Sequence, residues 1–185
     1  MTFDELQTKG MVKEHIPNID MRPYLDGLAM SSKRDSWDVL KVVDFPTKVL
    51  ESVTAHLEKD PLLRKFIGDI KIQVDRCKVG HYQPPHNDSS SYSPFIAQLF
   101  ISDGASTCLL AGRTDNINYR KHPIKDGDLL FFYTYPNDLV FSFTEVAGDD
   151  MYVVGFLPSA ADDLDESWIY KDIDRPYWPR KSIWT

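Results

Sequence analysis

Cys77-Lys-Val-Gly-His-Tyr-Gln-Pro-Pro-His86-Asn-Asp88 sits between a strand-like segment and a series of short apolar runs. The rest of the chain takes its meaning from it. His86 and Asp88 are two residues apart, so on an extended segment both project to the same side and can share one metal ion. Together they supply two of the three groups of a two-histidine, one-carboxylate site. The same pair also reads as a hydrogen-bonded couple that orders a turn, or as a weak metal site.

Upstream, Ile70, Ile72 and Val74 alternate with Lys71, Gln73 and Asp75, the period of a strand with one buried face. Downstream come Pro94–Ile101, a turn at 102–104, Ser106–Ala111, a polar loop at Arg113–Asn118, Asp126-Gly-Asp128, Leu129–Tyr133, Leu139–Phe143, a turn at 148–150 and Met151–Leu157. Short strands with regular turn signals predict a sandwich or barrel. No helical crossover separates them, which excludes a parallel α/β sheet.

Before this core, Val49, Leu50, Val53 and Leu57 recur at helical spacing behind Pro46, which predicts a helix over about 46–59. Lys41–Phe45 reads as a short strand. Residues 1–36 hold short apolar pieces broken by Pro, Gly, Ser and charge, and read as an irregular arm. After Ser159 an acidic piece leads to Trp168, Tyr170, Tyr177, Trp178 and Trp184 interleaved with Pro and Arg. Such a segment folds back on its own domain or docks on another subunit.

The 185 residues are 42% hydrophobic, enough for one domain with a core. A net charge of −7 argues against a general nucleic-acid binder. No apolar run is long enough for a membrane span. Cys77 and Cys108 sit in strand-like segments and read as buried thiols, and the expected location is intracellular, in the cytoplasm or within a larger particle.

On Gly80, Pro84, Pro85, His86 and Asp88, the chain resembles the 2-oxoglutarate/Fe(II) oxygenases of the prolyl-hydroxylase type. Pro123 and Gly127 fit the Pro/Gly step that precedes an apolar strand in that family. The resemblance covers roughly 69–158. It implies a mainly β fold, the double-stranded β-helix or jelly roll, with flanking N-terminal helices and here an irregular C-terminal extension. It also implies Fe(II) held by His86 and Asp88, 2-oxoglutarate as cosubstrate, and hydroxylation of a peptide or small molecule.

Two family residues are missing. A second histidine belongs on the strand after Leu129–Tyr133, and a basic residue for the cosubstrate beyond it. One alignment puts Phe141 and Met151 there; another puts Thr144 in place of the histidine. Glu145, Asp138 or His122 could stand in as the third ligand, and Arg113 or Arg120 as the cosubstrate anchor. His81 and Tyr82 read as a pocket mouth or a polar loop pair, Ser89–Ser91 as turn residues, and Asp149 and Asp150 as solvated hairpin charges. The expectation is therefore an arm (1–45), a core (46–158) and an aromatic extension (159–185) in one globular domain. Its metal site is incomplete, and it serves as an interaction or structural component of an assembly. A protein partner or oligomer would be contacted through the arm and the 168–185 tail. The alternative is an active hydroxylase with a non-standard third ligand.

Overall fold

The computed structural model describes residues 1–68, 70–86, 95–102, 108–113, 116–133, 139–143 and 146–158. The predicted alternation of Ile70–Val74 is realised as β4 (Ile70–Cys77), after β1 (Met11–His15), β2 (Met30–Lys33) and β3 (Trp37–Leu40). It is followed by β5 (Gln83–His86), β6 (Phe95–Ile101), β7 (Cys108–Arg113), β8 (Asn116–Pro123), β9 (Asp128–Tyr133), β10 (Leu139–Phe143) and β11 (Met151–Pro158). These strands form a seven-stranded sheet, β1-β9-β6-β11-β4-β3-β2, and a four-stranded sheet, β5-β10-β7-β8. Every ladder is antiparallel.

The pairings nest: β7 with β8, β6 with β9, β5 with β10, β4 with β11. The chain thus runs as one long hairpin coiled so that successive pairs fall in alternate sheets, the jelly-roll arrangement. All six residues of β9 are buried, because this strand is packed on both faces. That is why its sequence is a continuous apolar run and not an alternation.

Helices cover one face of the larger sheet. α1 (Phe3–Lys9), α2 (Arg22–Asp26), α3 (Thr47–Leu57) and a 3-10 turn at Leu63–Phe66 contribute Leu6, Leu25, Val53, Leu57 and Phe66 to a core shared with Phe95, Leu99, Phe131, Val154 and Phe156. The alternate residues of the same strands, Ile96, Phe100, Leu130, Phe132, Met151 and Val153, form a second cluster with Cys77 on the face left for the four-stranded sheet.

Three expectations change. The irregular arm over 1–36 is ordered instead: Thr2 caps α1 by accepting from the Glu5 N–H, Gly10 ends it at φ 75°, and β1 adds to the edge of the sheet beside β9. The short strand placed at Lys41–Phe45 lies earlier, at Trp37–Leu40, where β3 pairs with β4. The polar loop proposed for Arg113–Asn118 also overlaps the start of a strand, β8. Among the described residues no helix is long and apolar enough to cross a membrane. The 159–185 extension lies outside the described residues.

Candidate functional site

β4 hands over to β5 through a turn held from three directions. Gly80 takes φ 83°, a conformation that favours glycine, and donates its N–H to the Val146 carbonyl at 2.8 Å. Val146 returns a bond to the His81 carbonyl, and the Lys78 N–H donates to Ser36 O. The third anchor is Asp150. Its carboxylate accepts from the Val79 N–H at 3.0 Å and from Arg76 Nε at 2.8 Å. Read from sequence as a solvated charge, Asp150 instead locks this turn to the start of β11; its neighbour Asp149 is exposed.

The turn delivers His86 to the end of β5. The register opposite is specific: Phe141 of β10 is the Cα partner of His86, Ala111 of β7 that of Phe141, and Arg120 of β8 that of Ala111. Directly opposed residues of an antiparallel pair share a face. Phe141 therefore occupies the position beside His86 on the neighbouring strand. His122 is the partner of Leu109, at the far edge of the sheet, with β7 and β10 intervening before β5. At about 4.8 Å per strand this is about 14 Å across the sheet, beyond the reach of a shared ion. The idea that His122 completes the site is thereby corrected. Asp88, Ser89–Ser91, Asp138, Thr144 and Glu145 lie outside the described residues.

Met151, which one sequence alignment sets at the basic position, pairs with Cys77 and is fully buried in the apolar cluster. Burial, with the nearby Asp75 and Asp150 charges adding to it, pushes the Cys77 thiol up to about 12. Gln98 shares a face with Ile96 and Phe100 by the strand period, and its buried Oε1 has no partner among the described residues; Gln83 Oε1 on β5 is in the same condition. His81, a mouth or loop residue by sequence, is 3% exposed, whereas Tyr82 is 53% exposed. His81 is held by Ser36 and lies tilted against Trp37, two residues that sequence reading passed over because they lie some 45 positions away.

A cleft of about 390 Å3 on the other side of Asp150 is lined by Arg22, Asp26, Arg76, Val79, Asp149, Asp150 and Tyr152. Its charges are already engaged. Arg76 pairs with Asp150, Arg22 donates to the Asp150 carbonyl and lies over the Tyr152 ring, and the Tyr152 hydroxyl donates to Asp26. Burial and that bond push the Tyr152 hydroxyl up to about 12.

No protein-family model matches the sequence, and no curated protein matches it. Solved structures do. A 2OG-Fe(II) oxygenase family oxidoreductase from Burkholderia pseudomallei aligns at TM-score 0.59 and 11% identity, covering 86% of this chain and 88% of its own. A prolyl-4-hydroxylase from Pseudomonas putida aligns at 0.59 and 12%, covering 85% and 97%. A prolyl hydroxylase from Trichoplax adhaerens, solved with a hypoxia inducible factor peptide, aligns at 0.61 and 10%, covering 84% and 86%. Nested antiparallel pairs, the β4–β5 turn and these alignments converge: the chain has the double-stranded β-helix (jelly-roll) fold that these oxygenase structures share.

Proposed function

We propose that this chain keeps the oxygenase scaffold without a complete Fe(II)/2-oxoglutarate site, and acts as an interaction or structural component of a larger assembly. The observation that carries this reading is the pairing of Phe141 with His86. A third metal ligand on β10 would belong at that register position, and a phenyl ring offers no lone pair. Iron held by His86 and Asp88 alone lacks a third protein anchor, and ligand number sets affinity in such sites. Met151 adds to this. A buried thioether among Cys77 and Val153 cannot replace a guanidinium, whose paired N–H donors would hold a carboxylate. Function resides in the site and not in the fold, so a scaffold that outlives its chemistry is an ordinary outcome.

The test is anaerobic addition of Fe(II), with and without 2-oxoglutarate, followed by the visible charge-transfer band and by succinate release. The expected result is neither band nor succinate at millimolar cosubstrate. A band that vanishes in His86→Ala would overturn the reading.

One observation favours a second reading, an active Fe(II)/2-oxoglutarate hydroxylase with a non-standard third ligand. Arg120 shares the register row of His86, two strands beyond Phe141. Succinate release lost in Arg120→Ala would support it.

A further inference from the structure

The β2–β3 hairpin turns through Arg34-Asp35-Ser36 and closes with the Arg34 N–H donating to the Trp37 carbonyl at 2.9 Å. Against it lies His81, from the β4–β5 turn. The Trp37 and His81 rings are 5.4 Å apart, and Ser36 Oγ is 2.7 Å from His81 Nδ1. Two ring nitrogens here, Trp37 Nε1 and His81 Nε2, are buried and make no hydrogen bond among the described residues. Buried polar groups are nearly always paired, so two neighbouring exceptions call for an explanation.

An indole N–H can only donate. When the Ser36 hydroxyl donates to Nδ1, the imidazole proton sits on Nε2, and imidazolium carries a proton there as well. Both nitrogens are then donors facing no acceptor. A third donor is close by. The exposed Arg34 guanidinium lies 5.3 Å over the Trp37 ring and has no carboxylate partner among the described residues. Of the nearby acids, Asp38 is engaged by Lys78 at 3.0 Å, and Asp35 is exposed in the turn itself.

We propose that Arg34, Trp37 and His81 form a carboxylate-binding site at the β2–β3 turn, taking a small organic acid. The guanidinium supplies charge and a paired set of donors, while the indole and imidazole N–H groups fix the second oxygen from below. Arg34 is the exposed member of the three, above the Trp37 ring. This site is separate from the His86 position and does not depend on the state of the metal site.

The test uses the full chain labelled with 15N, with the Trp37 indole resonance assigned through Trp37→Phe. Sodium acetate is titrated against sodium chloride at constant ionic strength. A saturable downfield shift of the Trp37 indole proton with acetate only is expected, weakened about tenfold in Arg34→Ala, the loss of one charge-assisted bond. Arg34 is exposed, so this variant keeps the fold, and an unchanged spectrum elsewhere confirms it. No shift up to about 0.1 M acetate, an equal shift with chloride, or unchanged affinity in Arg34→Ala would each overturn the proposal.

Discussion

Phe141 is the register partner of His86 across the β10–β5 ladder, one strand spacing away. A ligand placed there tests the proposed gap in the site. Phe141→His is expected to raise Co(II) or Fe(II) affinity by about tenfold or more, because a second imidazole joins two weak anchors as the third ligand. Anaerobic metal titration of wild type and variant gives the comparison. Equal affinities would mean that β10 does not approach the ion.

Gly127 tests the turn that joins β8 to β9. It sits at φ 77°, and an added Cβ would come 2.5 Å from the Ile16 carbonyl oxygen. Gly148, at φ 87°, has nothing within 4 Å of the same point. Both alanine variants incur the backbone term of about 1–3 kcal/mol, but only Gly127→Ala adds the clash. Urea unfolding should therefore rank Gly127→Ala as the less stable of the two.

Cys77 should be inert. Its thiol is buried and pushed up to about 12, so almost no thiolate exists at pH 8. Peptide mapping after brief iodoacetamide treatment should find Cys77 unlabelled in the native chain and labelled in urea. Native labelling would mean that the apolar cluster opens readily.

Stability should fall as pH drops from about 7 toward 5. Burial lowers the basicity of His56 and His81 in the folded chain, outweighing the Glu14 charge beside His56. The unfolded chain therefore binds more protons in this window, so the stabilisation present above the ordinary histidine pKa of about 6.5 is lost below it. Asp60 extends the trend under pH 4. Desolvation acts to raise its pKa, but bonds from the Phe3, Leu63 and Leu62 N–H groups outweigh that and lower it. Urea midpoints at several pH values measure this directly. A flat profile between pH 7 and 5 would contradict it.

Much of the core was legible because its strands obey simple periods. β4 alternates, β6, β9 and β11 are apolar runs of strand length, and Gly80 and Gly127 sit where positive φ is required. β8 escaped notice because an edge strand has one partner and tolerates charge, so Asn116–Pro123 reads as loop. The first helix was missed despite its Thr2-x-x-Glu5 start and Gly10 stop, since only seven residues carry its pattern. One alignment of the closing strands set Phe141 at the histidine position, but its register against His86 depends on pairing that no local pattern encodes. The grouping of Trp37 with His81 is likewise a product of the fold alone.

The place of β11 sets the order in which this chain can be built. The last described strand lies in the middle of the seven-stranded sheet, between β6 and β4. Until it emerges during synthesis, β4-β3-β2 and β6-β9-β1 are two unconnected ribbons with exposed edges. Among the nested pairs the β7–β8 hairpin is local; each pair outside it must close a longer loop, up to about seventy residues for β4 with β11. Folding is thereby tied to completion of the chain, and a product ending before Met151 exposes edge strands able to recruit other chains.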